Sequence, residues 1–444
     1  MGLQVLLLTR YGRTGASSRL RFLHYLPGLD EYDIDVHPAP FLDDAYLRDL
    51  YGGRRPPMGR IFAFYSERLR HLVKARDFDL VWIEKEALPW VPEWPGMRTI
   101  DAPPVVVDFD DAWHLRYKES SNSLVRWALG NKLERIARNA DFVIVANRFL
   151  QNWAEQAGAR RVTCVPTVVD LRRYPQAELP APEPFTIGWI GTPETLPYLD
   201  TIKGALRRVL ARGNTRLILV GANQSFLPHE KVEAHPWSEN SEASFLHRVH
   251  VGIMPLPDGA WEYGKSGYKL VQYMAAGRPV VASPVGVNCE VVKEGVTGFF
   301  ASTEAEWVAS LERFRGNLGI VSEFGSAARK TVESSFSLRS AVPKIAEILQ
   351  AAAKVRRTRA PIRWHHTYGR PFNHITLTER LRHSIHLSFA CLWIGLLWLS
   401  ARLVGDLSRP LFQELGSQKR GNGAKRLRAD WNKVFKSFKS LNAR

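Results

Sequence analysis

The chain reads Val251-Gly-Ile-Met254, then Gly264-Lys-Ser-Gly-Tyr-Lys269, then Met274-Ala-Ala-Gly-Arg-Pro-Val-Val-Ala-Ser-Pro-Val-Gly286 in the stretch that decides its fold. The apolar run at 251–254 predicts a buried strand, and the glycine-rich loop that follows leads into an apolar helix near Lys269. Gly277 predicts the left-handed residue that ends this helix. Because another apolar run starts at Val280, the stretch predicts a strand, loop, helix and strand of a parallel α/β sheet.

The loop before the helix has the composition of an anion site. Gly264 and Gly267 carry no side chains that would keep an anion from the backbone, and a helix start presents amide groups and a positive dipole end. Lys265 and Lys269 add two positive charges, which suits a diphosphate that gains negative charge as a leaving group. Ser266 is predicted to cap the helix. The alternative is an ordinary connection with surface lysines.

Apolar strand-like runs alternate with helical patterns along the rest of the chain, in two sets. The first set predicts strands at 3–9, 80–83, 105–107, 142–145 and 162–165, and helices near 17–26, 59–74, 124–139 and 148–157. The second predicts strands at 185–190, 217–220, 251–254, 280–282 and 298–300, and helices near 198–211, 241–248, 269–276 and 305–315.

The two sets predict two α/β domains, each a Rossmann-like doubly wound parallel sheet, at 1–172 and 185–350. A proline-rich segment at 175–184 continues neither element and is typical of a linker. Two such domains face one another across a cleft, and ligands of this architecture bind at the carboxyl ends of the strands. The residues that follow the strands are therefore the candidate site residues.

The basic residues are concentrated at the end of the chain. The sequence has 61 Lys and Arg against 44 Asp and Glu, and residues 351–444 hold 19 of the basic and 4 of the acidic residues. A net charge of +15 on this tail leaves +2 on the first 350 residues. The tail thus predicts an anionic partner, whereas the two domains are electrostatically ordinary.

The tail also contains apolar side chains. An apolar segment at 385–404 includes Trp393 and Trp398 and has basic flanks, which favours a re-entrant or interfacial helix over a membrane-spanning one. Residues 425–441 predict a basic amphipathic helix suited to anionic lipid. A disordered solubilising tail and a partner-binding helix remain alternatives, and no nucleic-acid-binding module accompanies the charge.

The sequence predicts a protein on the cytoplasmic side of a membrane. Three cysteines without metal-like spacing fit a reducing compartment, and no secretory or myristoylation signal is recognisable at the start of the chain. With the basic tail, these features predict association with the inner face of the cell membrane.

Several motifs in their order resemble GT-B glycosyltransferases of the large retaining group called family 4, over about residues 3–350. They are residues 14–21 (TGASSRLR), 139–147 (NADFVIVAN), 166–170 (PTVVD), 187–192 (IGWIGT), 274–286, Glu290 and 295–299 (GVTGF). The resemblance implies a nucleotide-sugar donor bound by the second domain, an acceptor bound by the first, and transfer with retention. It places Gly15, Gly191 and Thr192 in the binding loops.

Two positions depart from the family pattern. Relatives carry a Glu-x7-Glu pair where this chain has Gly264 and Gln272, with Glu262 nearby but out of register. Gln272 can bond a ribose or sugar hydroxyl but holds no charge. The loop at 191–197 lacks the usual basic pair, so Lys265 and Lys269 are expected to neutralise the diphosphate from the opposite loop.

A cluster of acidic residues follows the predicted strand at 105–107. It reads Asp108-Phe-Asp110-Asp111-Ala-Trp-His114, and we expect Asp110 or Asp111 to orient or deprotonate the acceptor hydroxyl or to stabilise an oxocarbenium-like centre. Helix capping is the alternative, and an Asp-x-Asp metal site lacks further ligands, so no metal cofactor is expected. Glu84 and Glu86 are second-tier candidates for the same carboxylate role, and His114 is expected to be structural. Asp170 is expected to fix the hinge between the domains, and Trp237 to contact the nucleotide base. Arg19 and Arg21 either bind an anionic acceptor or are surface charges.

Together these features predict a glycosyltransferase that uses a nucleotide sugar and a lipid-linked or envelope glycan acceptor. A non-catalytic sugar-nucleotide or glycan-binding protein of the same fold is the main alternative, because Gln272 replaces a carboxylate. A Rossmann-type dehydrogenase is disfavoured because no Gly-x-Gly-x-x-Gly follows the first strand.

Overall fold

The computed structural model describes residues 2–355, except 52–53, 55–56, 93–102, 176–177, 193, 223–225 and 240–241. The basic tail beyond Val355, with the apolar segment 385–404 and the amphipathic helix 425–441, lies outside the described residues. Every helix among the described residues is too short or too polar to span a lipid bilayer.

The first domain is built on a parallel sheet of six strands in the order β2-β1-β3-β4-β5-β6. The strands are β1 (Leu3–Leu8), β2 (Ile34–Pro38), β3 (Leu80–Glu84), β4 (Val105–Phe109), β5 (Phe142–Val145) and β6 (Val162–Cys164). All five residues of β3 are buried, as expected for a parallel strand covered on both faces. The chain reverses direction across the sheet between β1 and β3, so this point is the topological switch where ligands bind.

Helices cover both faces of this sheet. They are α1 (Ala16–Ser18), which continues as a π-helical turn (Arg19–Leu23), α2 (Leu26–Asp30), α3 (Asp44–Tyr51), α4 (Met58–Lys74), α5 (Trp113–Lys118), α6 (Ser123–Leu129), α7 (Lys132–Asn139) and α8 (Arg148–Gln156). Short 3-10 turns occupy Ala75–Asp77 and Leu171–Arg173.

The second domain repeats the design with a parallel sheet in the order β12-β11-β10-β7-β8-β9. Its strands are β7 (Phe185–Ile190), β8 (Thr215–Val220), β9 (Val232–His235), β10 (Val251–Met254), β11 (Val280–Ala282) and β12 (Gly298–Phe300). A 3-10 segment (Leu196–Ile202) leads into α9 (Lys203–Ala211), and α10 (Glu242–His247), α11 (Ala260–Tyr263), α12 (Tyr268–Ala275), α13 (Asn288–Val291), α14 (Glu304–Gly316), α15 (Leu318–Ser335) and α16 (Leu338–Ala353) follow. Here the switch point lies between β7 and β10.

The predicted pair of doubly wound domains is confirmed. Ten strands were expected from apolar runs, and the structure has all ten; the two that sequence reasoning missed are β2 and β9, one at an edge of each sheet. Edge strands are covered less completely, so they carry polar residues such as those of Ile34–Pro38 and give a weak apolar signal. The single helix predicted at 124–139 is divided at Gly130, which ends α6.

The last described helix crosses back to the first domain. The apolar side of α16 packs beneath β3 and β4, and its residues Val342, Ile345 and Leu349 share a buried cluster with Val5 and Leu7 of β1. The segment predicted as the second domain, 185–350, therefore gives its final helix to the first. The sequence pattern shows that this helix has an apolar face but not which sheet covers it.

Candidate active site

The carboxyl ends of the two sheets meet across a cleft. The Asn147 side chain of the first domain donates a hydrogen bond to the Lys265 carbonyl oxygen of the second, over 2.9 Å. A Cβ placed on Gly264 would lie 2.3 Å from the Cβ of Ala112 in the first domain. Glycine is thus required at 264 by the close approach of the two domains, a reason different from the anion contact that the sequence predicted.

The loop before α12 ends in a left-handed residue. Gly267 has a φ of 68° and is the residue before the helix, which begins at Tyr268 with no side-chain cap. The prediction that Ser266 caps this helix is therefore wrong, because glycine takes the capping position in a conformation that serine rarely adopts. Gly277, with a φ of 70°, ends the helix as predicted.

Lys269 reaches from α12 to the loop that follows β7. Its Nζ donates a hydrogen bond to Thr195 Oγ1 over 3.0 Å and lies 4.7 Å from the centre of the Trp189 ring. Burial, and secondarily repulsion by Lys265, lower the pKa of Lys269 to about 7. The structure thus brings this lysine to the loop that lacks its own basic pair.

Thr195 also closes that loop on itself. Its hydroxyl accepts a hydrogen bond from the Thr192 amide over 3.0 Å and donates one to the Thr192 carbonyl over 3.1 Å. A Cβ on Gly191 would lie 2.3 Å from the Trp189 ring and 2.7 Å from Thr195 Oγ1. Gly191 therefore permits the tight turn that places Thr192 and Thr195 beside Lys269.

Asp111 is the acidic residue of the predicted cluster that faces this cationic loop. It is half-buried and interacts electrostatically with Lys265 across the cleft. Burial raises the pKa of Asp111, and Lys265 opposes part of that rise. The structure therefore brings together the predicted residues Asp111, Lys265 and Lys269, one from the first domain and two from the second.

Asp110 has a different environment, because it is buried in an ion pair. Lys85 Nζ lies 2.7 Å from Asp110 Oδ1 and 3.1 Å from Glu84 Oε1. Burial opposes ionisation of Asp110, but Lys85 and Arg21 outweigh it and lower the pKa. Neither Asp110 nor Asp111 caps α5, whose first flanking residue is Ala112 without a side-chain bond. The capping alternative is therefore wrong for both.

Glu84 and Glu86 are buried at the carboxyl end of β3, on the first-domain side of the cleft. Glu84 accepts hydrogen bonds from the Arg10 amide and from two serine hydroxyls of α1, over 2.6–2.8 Å. Glu86 accepts from Tyr117 Oη over 2.7 Å and from Lys132 Nζ over 2.6 Å. Both carboxylates are fully engaged in positioning neighbouring loops, which argues against proton transfer by either.

The two arginines considered for an anionic acceptor are also buried. Arg21 donates to Asp108 over 2.8 Å and to the Val165 carbonyl over 2.6 Å. Arg19 lies 3.6 Å from Glu239 of the second domain and over the Trp237 ring. They act as structural ties, and neither is a surface charge.

Gln272 is buried below the cleft. Its amide donates to Tyr174 Oη over 3.0 Å, and Tyr174 in turn donates to Glu242 over 2.8 Å. Trp237 donates to the same carboxylate over 3.0 Å and is 38% exposed, so it belongs to the surface and not to the core. The Gln272 side-chain amide therefore bonds to another residue of the protein and does not face a ligand in the cleft.

Three further predicted positions have structural partners. Gly15 lies against Tyr11, whose Cβ would be 2.2 Å from a Cβ at 15. His114 stacks on Trp153 with ring centres 4.4 Å apart, and burial lowers its pKa to about 4, as expected of a structural histidine. Asp170 caps the 3-10 turn after β6 by accepting from the Arg172 amide. Among the described residues, no three His, Cys, Asp or Glu side chains are grouped as metal ligands.

Comparison with known proteins agrees with this geometry. Residues 184–317 match the family model described as glycosyl transferases group 1, and that segment contains the loops around Thr192, Lys265 and Lys269. The chain has a glycosyltransferase fold, and the match to the group 1 family lies within its second domain. No curated protein is significantly similar to it in sequence.

Solved glycosyltransferase structures share the whole two-domain architecture. HepE of Anabaena, solved with UDP and glucose, superposes with a TM-score of 0.58 at 18% identity, covering 79% of this chain and 100% of that one. Sucrose-phosphate synthase of Thermosynechococcus elongatus gives 0.58 at 14% identity, covering 79% and 98%. WaaG, a glycosyltransferase involved in lipopolysaccharide biosynthesis, gives 0.56 at 14% identity, covering 78% and 99%. These likenesses establish the GT-B fold.

Proposed function

We propose that the protein transfers a sugar from a nucleotide-sugar donor, with retention of configuration, to a lipid-linked or envelope glycan acceptor at the inner face of the cell membrane. The observation that carries the donor part is Lys269, a desolvated lysine held between Trp189 and Thr195 at the switch point of a group 1 glycosyltransferase domain. Burial and repulsion from Lys265 disfavour the charged form of Lys269. An anion bound beside this lysine would stabilise that charge.

The donor diphosphate is assigned to Lys265, Lys269 and the amides at the start of α12. These groups supply fixed positive charge where negative charge develops as the nucleoside diphosphate leaves. Thr192, held by Thr195 beside Lys269, offers further polar contacts at the same place. The activity is expected to survive EDTA, because protein cations take the role that a metal ion has in other transferases.

Asp111 is assigned to the acceptor side. It stands across the cleft from Lys265, and burial raises its pKa, which makes the carboxylate a better proton acceptor. Asp110, paired with Lys85, is assigned the task of holding that strand end in place. Retention and the membrane-bound acceptor rest on the family resemblance and on the basic tail.

The nucleotide base is the least constrained part of the donor. HepE was solved with UDP-glucose, and that neighbour makes UDP-sugars the first donors to test. The exposed Trp237 ring beside the end of β8 offers an aromatic surface for a base. The test is a panel of UDP-, GDP- and ADP-sugars, measured for binding by calorimetry and for diphosphate release. Binding of none would exclude the proposal, and binding without release or transfer with any acceptor would favour a non-catalytic protein.

A further inference from the structure

One tryptophan of the first domain lies almost entirely in solvent. Trp127, on α6, is 80% exposed, whereas the next most exposed large hydrophobic residue of the described part of the chain, Val296, is 48% exposed. The core contacts of α6 are made by its buried residues Val125 and Leu129. Tryptophan is highly buried on average, and here its large ring keeps apolar area in water. Packing of the first domain therefore gives no reason for a tryptophan at 127.

Trp127 belongs to the layer of helices that covers one face of the first sheet. Helices α5 to α8 pack on that face against side chains such as Leu8 and Val107. Helices α3 and α4 adjoin them, because Leu72 of α4 packs against this cluster and also against the cluster that α3 and α4 share. The opposite face of the sheet is covered by α2 and α16. We call the outer surface of these six helices the α3–α8 face.

The α3–α8 face is basic. Its helices carry twelve basic and five acidic residues, and of the basic ones Arg68 and Lys132 are buried. Some of the others form ion pairs within the face, such as Arg70 with Glu67. An ion pair leaves the net charge unchanged, and the net charge sets the attraction to an oppositely charged surface. Because residues 1–350 carry only +2 in total, the positive excess is local to this face.

The outward side of α4 adds aromatic rings to this charge. Its residues Phe62, Ala63, Phe64 and Arg70 line a shallow depression in the surface of the protein. Phe62 and Phe64 are half-buried, so part of each ring is open to solvent. Aromatic rings among basic residues are typical of surfaces that lie at the boundary between lipid head groups and acyl chains.

We propose that the α3–α8 face lies on an anionic lipid surface, with the Trp127 ring inserted at the level of the head groups. This inference rests on the proposed acceptor in the membrane and specifies the side of the protein that meets it. Tryptophan favours the interface between water and lipid, and arginine and lysine are attracted to anionic head groups. The basic tail is a poor alternative occupant, because this face would repel its charge of +15.

Contact through this face would also orient the cleft. Helix α5 belongs to the face and begins two residues after Asp111, and Ala112 between them meets Gly264 of the second domain. A membrane against the face therefore holds the acceptor side of the cleft near the lipid. The tail still supplies most of the affinity, since a single inserted ring with a few exposed cations gives only weak and reversible attachment.

Hydroxyl-radical footprinting of the full chain, read by mass spectrometry, tests the insertion of Trp127 directly. The lipid is a vesicle of saturated phosphatidylglycerol and phosphatidylcholine, and pure phosphatidylcholine vesicles are the neutral comparison. Oxidation of Trp127 should fall about threefold or more on the anionic vesicles, and less on the neutral ones, because an inserted ring is shielded from water. Tyr32 is the internal control, since it is 38% exposed and its carbonyl oxygen bonds to Gln350 of α16, at the opposite face of the sheet. Its oxidation should not change.

A substitution then measures what the ring contributes to binding. Trp127→Ala should weaken the affinity for anionic vesicles in sedimentation about tenfold, because the inserted apolar area is lost. Tyr32→Ala is the matched control, and it should leave the affinity unchanged although it also removes an exposed aromatic ring.

A second pair of variants measures the contribution of charge. Arg70→Gln combined with Lys74→Gln should weaken binding to anionic vesicles about tenfold and leave binding to neutral vesicles unchanged. The control combines Arg339→Gln with Lys344→Gln, which removes two exposed cations from α16 on the opposite face. Equal losses in the two double variants would show that the attraction has no preferred face and would overturn the inference.

The footprinting result decides between this face and other membrane contacts. Unchanged oxidation of Trp127 on vesicles that the protein binds would overturn the inference and assign the contact to the tail. Protection of Trp127 without lipid, growing with protein concentration, would overturn it in favour of a second copy of the chain, and failure of the wild type to bind vesicles would also overturn it. Nucleotide-sugar binding is measured in the same preparations. Its absence from wild type would instead refute the proposed function, and its retention in Trp127→Ala shows that the variant is folded.

Discussion

Lys269 makes donor binding depend on pH in a direction that can be worked out. The pKa of this lysine is about 7 in the ligand-free protein, because of burial and the neighbouring Lys265. A diphosphate beside it favours the charged form, so the pKa in the complex moves back toward the usual value of about 10.4. Below pH 7 the lysine is already protonated and adds no pH dependence. Above pH 7 the affinity should fall as pH rises, by up to about tenfold per unit.

The size of the effect follows from the same shift. A return of the pKa from about 7 to about 10.4 is roughly 3 units, which corresponds to about 4 kcal/mol, or about a thousandfold in affinity at the upper limit. At pH 8 nearly every Lys269 is neutral before binding, so the complex should take up close to one proton. A nucleotide sugar is the suitable ligand, since both of its phosphates stay ionised throughout this range.

Calorimetry at pH 8 in buffers of different ionisation enthalpy measures this proton uptake. Lys269→Gln should abolish it, and Lys265→Gln should reduce it, because removal of the neighbouring charge raises the pKa of Lys269 in the free protein. Lys203→Gln is the control, since that lysine lies against Phe226 and Asp200. Binding without proton uptake in the wild type, or with the same uptake in Lys269→Gln, would refute the reasoning.

Three other predictions concern the cleft and the tail. Asp111→Asn should lower transfer by about a hundredfold or more while donor affinity by calorimetry stays unchanged, and equal turnover would reassign the acceptor-side carboxylate. Gly264→Ala should lower kcat, because the new Cβ would overlap Ala112 and hold the domains apart. The control is Gly316→Ala, whose Cβ would meet no atom within 4 Å. Equal kcat in both variants would show that the cleft closes differently. A chain ending at Val355 should keep nucleotide-sugar binding but no longer sediment with anionic vesicles. The full chain should bind the vesicles more weakly at high salt, without complete loss of binding. Equal sedimentation of the truncated and full-length proteins would place the membrane contact in the two domains.

The fold could be predicted where a buried strand gives a continuous apolar run in the sequence. Central strands such as Phe185–Ile190 are buried throughout, so they appear as apolar runs with clear ends. Edge strands such as Val232–His235 alternate with polar residues and give no such run. The destination of α16 also has no local signal, because an apolar helix face fits either sheet.

The candidate site was predictable where residues follow strands directly. Asp111, Lys265 and Lys269 were found because each stands near a strand end or a glycine-rich turn. Lys85 was missed, although it lies between Glu84 and Glu86 immediately after an apolar strand, a pattern that signals buried charge at a site. Its left-handed backbone, with a φ of 60°, has no signature in sequence.

Other site features depend on contacts between distant parts of the chain. Arg10 and Arg116 both contact the Trp113 ring, because the end of β1 and the start of α5 meet at the same edge of the first sheet. Gly264 was interpreted as an anion contact because a glycine-rich loop before a helix favours one, whereas its close neighbour is the opposite domain. Such pairings follow from tertiary structure and not from spacing along the chain.

The measurement that tests the central claim most directly is acceptor-dependent cleavage of a nucleotide sugar by the full-length protein. Each donor of the UDP, GDP and ADP panel is incubated in EDTA with membrane lipid extract as the acceptor, and both the released nucleoside diphosphate and the glycosylated lipid are quantified. We predict release and transfer in equal amounts with one donor class, and loss of both in Asp111→Asn and in Lys269→Gln. Nucleotide-sugar binding without transfer to any acceptor, or transfer that persists unchanged in both variants, would contradict the account.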